Sequence, residues 1–371
     1  MATQGLTTDL PVLGRLRRQG LMIGAAGLIL GAIGAFAQPD QFMPAWLIGF
    51  TFCLGLSLGC LAMLMIQHMS GGRWGLVARR VFEAGSRLLP YCLLLYIPIG
   101  VMLPKLYIWA RPAAVQADHI LVLKQPYLNV PFALVRAAIY FGVWIFCMWH
   151  LNRWSVRQDR GEVAVTPADM RRFRVISAPG LLAYVILMTF ASVDWLMSLD
   201  PRWYSTIFGF LKPVHVHDIG KLTLAFVMLW AYMSFSQFLI IWAGTLPEEI
   251  PFYLVRMRSG WQYVSLLLAL GHFALPFCLL LSRDLKRHPR LLARVALFIL
   301  AMRLLDLIWI VAPNFNQNGF PIHWMDVAIP VGLAGVWVFL FAGQLARSPL
   351  VPFNDPYWKE NFAHEHAAAG H

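Results

Sequence analysis

The run FMPAWLIGFTFCLGLSLGCLAMLMIQH, residues 42–68, contains no Asp, Glu, Lys or Arg. A helix of that length rises about 40 Å at ~1.5 Å per residue, more than a ~30 Å hydrocarbon core demands. A helix that is apolar all round belongs in a core or a membrane. Eight further apolar runs surround it, at about 20–38, 88–109, 131–151, 175–197, 219–243, 260–282, 291–312 and 324–345. The pattern predicts an all-α, polytopic transmembrane helix bundle with nine readable spans.

Composition agrees. Hydrophobic residues make up 59% of the 371 residues and charged residues 13%, against roughly 45–50% and about 25% in soluble domains. Residues 1–346 read as a single integral membrane domain, with a first half at 20–197 and a second at 219–345. Residues 347–371 read as a cytoplasmic tail. His364, His366 and His371 in that tail could hold a metal, but a frayed polar end is the simpler reading. Arg15, Arg17 and Arg18 before the apolar stretch from Leu21 imitate a signal peptide, with Ala35-Phe36-Ala37 as its cleavage site. We read the segment as the first span.

The formal charge of +12 does not point to nucleic acid, because Lys and Arg cluster in the short gaps between apolar runs. That is the positive-inside bias, with contact to anionic lipid. Cys53, Cys60, Cys92, Cys147 and Cys278 all lie inside apolar runs and form neither CxxC nor CxxCH. Covalent haem and cysteine-ligated iron–sulfur clusters are therefore unsupported. His68 and His150 are the one histidine pair worth weighing for a b-type haem, and nothing in their spacing demands it. The chain is expected to hold no metal or haem of its own.

The charge distribution also sets orientation. Arg15, Arg17 and Arg18, then Arg73, Arg79, Arg80 and Arg87, then the arginines from Arg153 to Arg174 mark cytoplasmic segments, so the N-terminus is cytoplasmic. With only nine spans the pattern then inverts, leaving Arg283–Arg294 outside. A tenth crossing between Asp194 and Asp218 restores it and makes the C-terminus cytoplasmic too. The only apolar stretch there is Ile207–Leu211, far short of the ~20 residues a span needs. Either the region is unusual or a helix is missing from the sequence, and the charges favour the second. A missing helix would break the topology between Gly209 and Lys212. Residues 71–90, GGRWGLVARRVFEAGSRLLP, read as an interfacial amphipathic helix, with Trp74, Val77 and Val81 on one face and Arg79, Glu83 and Arg87 as an i, i+4 ladder.

Ionisable groups inside apolar runs cost on the order of 2.5–3.5 kcal/mol each on insertion scales, so each needs a partner or a use. Asp194, Asp218 with Lys221, His272, Arg303 with Asp306, and Asp326 qualify. Thr223, Trp230, Ser234 and Gln237 share one helical face, and Gln262, Ser265, His272 and Pro276 share another. Facing one another, the two stripes would make a polar lining able to pass protons. The plainer alternatives stay open: Arg303 and Asp306 as a self-neutralised pair, the stripes as interhelical hydrogen bonding, and His272 as an isolated helix histidine.

At these residues the chain resembles the second NrfD-like membrane subunit of alternative complex III, a bacterial quinol:cytochrome c or oxidase-linked oxidoreductase. The resemblance rests on residues 71–90, DWLMSLDPRWYSTIFG (194–209), HDIGKL (217–222), FSQFLIIWAGTLPEEIPFYLVR (235–256), GHFALPFCLLLSRDLKRHP (271–289) and NDPYWKE (354–360). It implies ten spans, arranged largely as two four-helix bundles in the bacterial inner membrane, with a sixth span between STIFG and HDIGK that this sequence lacks. It also implies partners: a sister NrfD-like subunit, an iron–sulfur subunit, c-type haem subunits, lipids and a terminal oxidase. Haem and iron–sulfur clusters then belong to those partners, and the sister subunit carries quinol oxidation. Menaquinone, ubiquinone or lipid is the non-covalent ligand left open for this chain. The resemblance implies a candidate proton path at Asp194, Asp218, Lys221, His272, Arg303 and Asp306, and the polar stripe adds Gln237. The competing expectations are a secondary transporter, for which no convincing repeat is seen, and a structural anchor for extrinsic redox subunits.

Overall fold

The computed structural model describes residues 11–71, 73–160, 167–201, 218–244, 250–257, 260–282, 285–286, 288–315 and 322–347. All regular structure among them is helical, and nine of the described helices are long and apolar enough to cross a membrane. The chain is an all-α, multi-pass membrane protein, and the nine expected runs are the nine spans. The expected break between Gly209 and Lys212, the tenth span and the histidines of the tail lie outside the described residues.

Helix α1 (Pro11–Ala37) starts earlier than expected and draws Arg15, Arg17 and Arg18 into its first turns. Helix α2 (Pro39–Ser70) follows after Gln38 alone. Helix α3 (Arg73–Ser86) leads through a turn into α4 (Leu89–Val101). The third span thus stops at Val101, short of the expected 109. Pro104 lacks the N–H that would continue the ladder to Gly100, and short helices carry the chain from Leu103 to Lys124. Asn129 then caps α5 (Val130–Asp159), accepting the Phe132 N–H at 2.9 Å. After α6 (Pro167–Trp195) come α7 (Asp218–Gly244), the short α8 (Ile250–Arg256), α9 (Trp261–Leu281), α10 (Pro289–Val311) and α11 (Trp324–Leu345).

Helices α2, α4, α5 and α6 close into a four-helix group in which each packs on the next. Its centre is aromatic. Phe50, Tyr96, Phe141, Trp144 and Trp195 stand 5.2–6.3 Å apart, centroid to centroid, the range in which tilted and edge-to-face pairs are favourable. Helix α2 is the hub, with 72% of its most apolar stretch buried against 17% in α7. Helices α7, α9 and α10 form a second group, three spans where the first has four, and α10 joins it to α2. Helix α11 packs on α1, α2 and α3 instead.

The α1–α11 contact has a simple cause. Gly20, Gly24, Gly27, Gly31 and Gly34 recur at spacings of four and three, which puts them on one face, and all are buried. Across from them lie Gly332 and Gly335. Lipid tails are as apolar as leucine, so helix association in a membrane depends on close packing, and glycine lets backbones approach. A Cβ on Gly20 would stand 2.7 Å from the Phe339 nitrogen, and one on Gly27 would overlap the Gly332 backbone. Gly27→Leu is therefore expected to separate α1 from α11 at an overpacking cost of about 1–3 kcal/mol. Gly31→Ala, whose nearest neighbour is 3.4 Å away, should be tolerated. Cysteine cross-linking between the two helices checks both, and an intact cross-link in Gly27→Leu refutes the packing argument.

Helix α3 is amphipathic, as read, and runs into the third span, but its charged face turns into the protein. Arg79, Arg80 and Glu83 are 0–2% exposed, while Val81 is 39% exposed. The reason is the end of α5, which offers Ser155, Gln158 and Asp159 as partners. A satisfied charge is cheaper to bury than an unpaired one.

Candidate functional site

Helix α9 carries the irregularity that defines the site. Pro276 has no N–H for the carbonyl of His272 and its ring crowds that carbonyl. The preceding turn, Ala269–Ala274, widens into a π-helix. Such single π turns occur mostly where a side chain must be re-aimed, often at functional positions. Here the widened turn carries His272, which is 5% exposed. Its ring stacks on Trp230 of α7, with centroids 4.2 Å apart and planes within 19°. The charges of Asp306 and Arg303 on α10 lie within electrostatic reach of it. Among the described residues the His272 Nδ1, the Trp230 Nε1 and the Gln237 Nε2 have no hydrogen-bond partner although buried.

Parts of the two predicted polar stripes face a common space, Trp230, Ser234 and Gln237 from one and Gln262 and Ser265 from the other, while Thr223, His272 and Pro276 do not line it. A cavity of about 520 Å³ lies between α7, α8, α9 and α10, and its polar lining comes from Ser234, Gln237, Gln262, Ser265, Arg256 and Asp306. Phe235 and Met257 stand at its outer side, 63% and 52% exposed. Ser265 is already engaged, accepting from the Trp309 Nε1 at 2.8 Å and donating to the Trp261 carbonyl at 3.1 Å. Arg303 and Asp306 form an ion pair one turn apart on α10. Asp306 faces the cavity, and Arg303 faces a small void of about 50 Å³ against α2 and α6, lined also by Thr51, Tyr184 and Ser192. That void has room for a few waters. The pair thus stands between the two helix groups.

Asp194 lies elsewhere. It ends α6 in the first group, where Arg136 of α5 grips it with two hydrogen bonds of 2.8 and 2.9 Å. The Tyr140 hydroxyl donates a third at 2.7 Å. Asp218 and Lys221 begin α7, and their side chains lie outside the described residues. Asp326 serves its own helix, accepting the His323 N–H at 3.0 Å in the capping box that starts α11 and a hydrogen bond from Gln41 at 2.9 Å. The candidate residues are therefore split. Gln237, His272, Arg303 and Asp306 share one region, and Asp194 does not join them.

Sequence reasoning passed over Arg136, Tyr140 and Arg256. Arg136 sits inside the run 131–151 and carried the same signal as Asp194, a charge needing a partner. Arg256 lies between spans, where a cation is ordinary, yet it is 1% exposed. It donates to the carbonyls of Phe252, Trp309 and Ile310 at 2.7–3.1 Å and sits over the Phe252 ring. Burial pushes its guanidinium down to about 9, which still leaves it cationic at neutral pH. Arg256 thus sets a fixed positive charge on the cavity wall.

His68 stacks on Phe173 and His150 lies tilted against Phe146, and among the described residues no group of three His, Cys, Asp or Glu could hold a metal ion. No protein-family model and no curated protein matches this chain.

Proposed function

We propose that the chain is a membrane subunit, without a redox centre of its own, of a respiratory quinol:electron-acceptor oxidoreductase of the alternative complex III type. In this reading it supports quinol oxidation by a sister NrfD-like subunit and conducts protons through its second helix group. Its partners are the sister subunit, an iron–sulfur subunit, c-type haem subunits and lipids. It resides in the bacterial inner membrane with both termini cytoplasmic. The observation that supports proton conduction is the cavity bounded by Gln237 and Asp306, with the buried His272 held beside it on a widened turn. Histidine and carboxylate groups exchange protons near neutral pH, and a water-accessible space supplies the links between them. The volume and largely apolar wall also suit a quinone ring or a lipid chain.

The structural-anchor reading has its own support, because Arg303 and Asp306 neutralise each other. Asp306→Asn separates the two. Conduction predicts that proton translocation falls, by roughly the 10²–10⁴-fold that a positioned proton-transfer group contributes, while the complex assembles and oxidises quinol. An anchor predicts lost assembly with no separate proton defect. Co-purification tests the wider reading: haem and iron–sulfur absorbance should arrive with this chain when it is drawn from its native membrane, and a native preparation without either overturns it.

A further inference from the structure

A second cleft, of about 470 Å³, lies at the far end of α5, remote from the proton-path candidates on α7, α9 and α10. Four arginines line it: Arg87 from the turn between α3 and α4, Arg153 and Arg157 from successive turns of α5, and Arg160 just past its end. No carboxylate is among its described lining residues. Among the described residues, Glu83 pairs with Arg79 and Arg80, and Asp159 with Arg80. Asn152 fixes one wall by accepting the Arg87 Nε at 2.7 Å. Trp149 fixes the other, with the Arg153 guanidinium 4.8 Å from its ring centre. The charge of Arg347 adds to that of Arg87.

Below the arginines the same face of α5 turns apolar. Trp149, Phe146 and Ile139 are 47%, 56% and 51% exposed. Between the last two, Gly142 leaves open space with nothing within 4 Å of where a Cβ would stand. A basic cleft at a span's end, continued by a notched apolar track toward mid-membrane, matches one class of ligand in both parts. We propose that this face binds an anionic phospholipid, its phosphate between Arg153 and Arg157 and an acyl chain along Trp149, Phe146 and the Gly142 notch. Clustered basic side chains at a membrane surface attract anionic headgroups with about 1 kcal/mol each, or about fivefold in affinity per charge. The tryptophan sits where aromatic side chains mark the headgroup level.

The test uses the full chain purified in detergent, stripped of lipid and titrated with phosphatidylglycerol or phosphatidylcholine, with bound lipid counted by native mass spectrometry. Phosphatidylglycerol should bind more tightly. The double variant Arg153→Gln, Arg157→Gln should lose about 25-fold in its affinity and leave phosphatidylcholine unchanged. Gly142→Leu fills the notch without touching charge, and should weaken phosphatidylglycerol while leaving the arginines in place. Glycerol phosphate, which has the headgroup chemistry without chains, should bind weakly. Equal affinity for the two lipids, indifference to the double variant, or equally tight binding of glycerol phosphate would each overturn the proposal. So would an assembled complex in which an acidic protein segment fills the cleft.

Discussion

Glu83→Leu is expected to destabilise the protein by about 3–5 kcal/mol, the usual consequence of removing one member of a buried charge cluster. Glu83 accepts from the Arg79 Nε at 2.9 Å, the Arg80 Nη1 at 2.8 Å and the Ser155 Oγ at 2.6 Å. Arg79 and Arg80 are 0% and 2% exposed. Without the carboxylate, two guanidinium groups on consecutive residues would remain in the interior. Arg80 would retain Asp159, and Arg79 would lose the carboxylate that its Nε donates to. Attraction to the carboxylate then no longer offsets desolvation. The total stability of a folded domain is about 5–15 kcal/mol, so the loss should be plain in thermal unfolding of the solubilised chain. Arg79→Met with Glu83→Leu should recover much of it, because removing both partners leaves no uncompensated charge. A single variant as stable as the parent would mean that the cluster contributes no more than a surface pair.

The spans were legible in the sequence because the bilayer imposes one length and one polarity on every crossing helix. That constraint needs no knowledge of neighbours. Who packs on whom was not legible. Gly20, Gly24 and Gly27 of α1 meet Gly332 and Gly335, more than 300 residues away in the chain. Periodicity shows such a face but not its partner. The same limit explains the helix at 71–90. Its amphipathic pattern was plain, but pattern alone does not say whether a charged face meets headgroups or the end of another helix. In the candidate site, the polar stripes on α7 and α9 were readable, and Trp230, Ser234, Gln237, Gln262 and Ser265 of them meet at one cavity. Arg256 was invisible because its surroundings come from Trp309 and Ile310, on a helix more than 50 residues on. The π turn was partly readable, since Pro276 stands four residues after His272.

Arg136→Met is expected to cost about 3–5 kcal/mol as well, since it leaves the Asp194 carboxylate buried with Tyr140 as its remaining side-chain donor. The pair is 7% and 4% exposed, and Arg136 also donates to the Tyr127 carbonyl at 2.8 Å and lies 3.9 Å from the centre of the Tyr127 ring. A bidentate grip with aromatic cover is the geometry of a lock between α5 and α6. A group that must take up and release a proton gains nothing from it, because Arg136 and Tyr140 already occupy the oxygens where that proton would land. Arg136→Met with Asp194→Asn should therefore regain stability, the amide oxygen still accepting from Tyr140, with a coupling of roughly 0.5–3 kcal/mol between the two sites. The double variant should also translocate protons at the parent rate once assembled, where Asp306→Asn does not. Proton uptake by reconstituted complexes decides it. A double variant that folds but no longer moves protons would put Asp194 back on the path, and the lock would then be the wrong description of this ion pair.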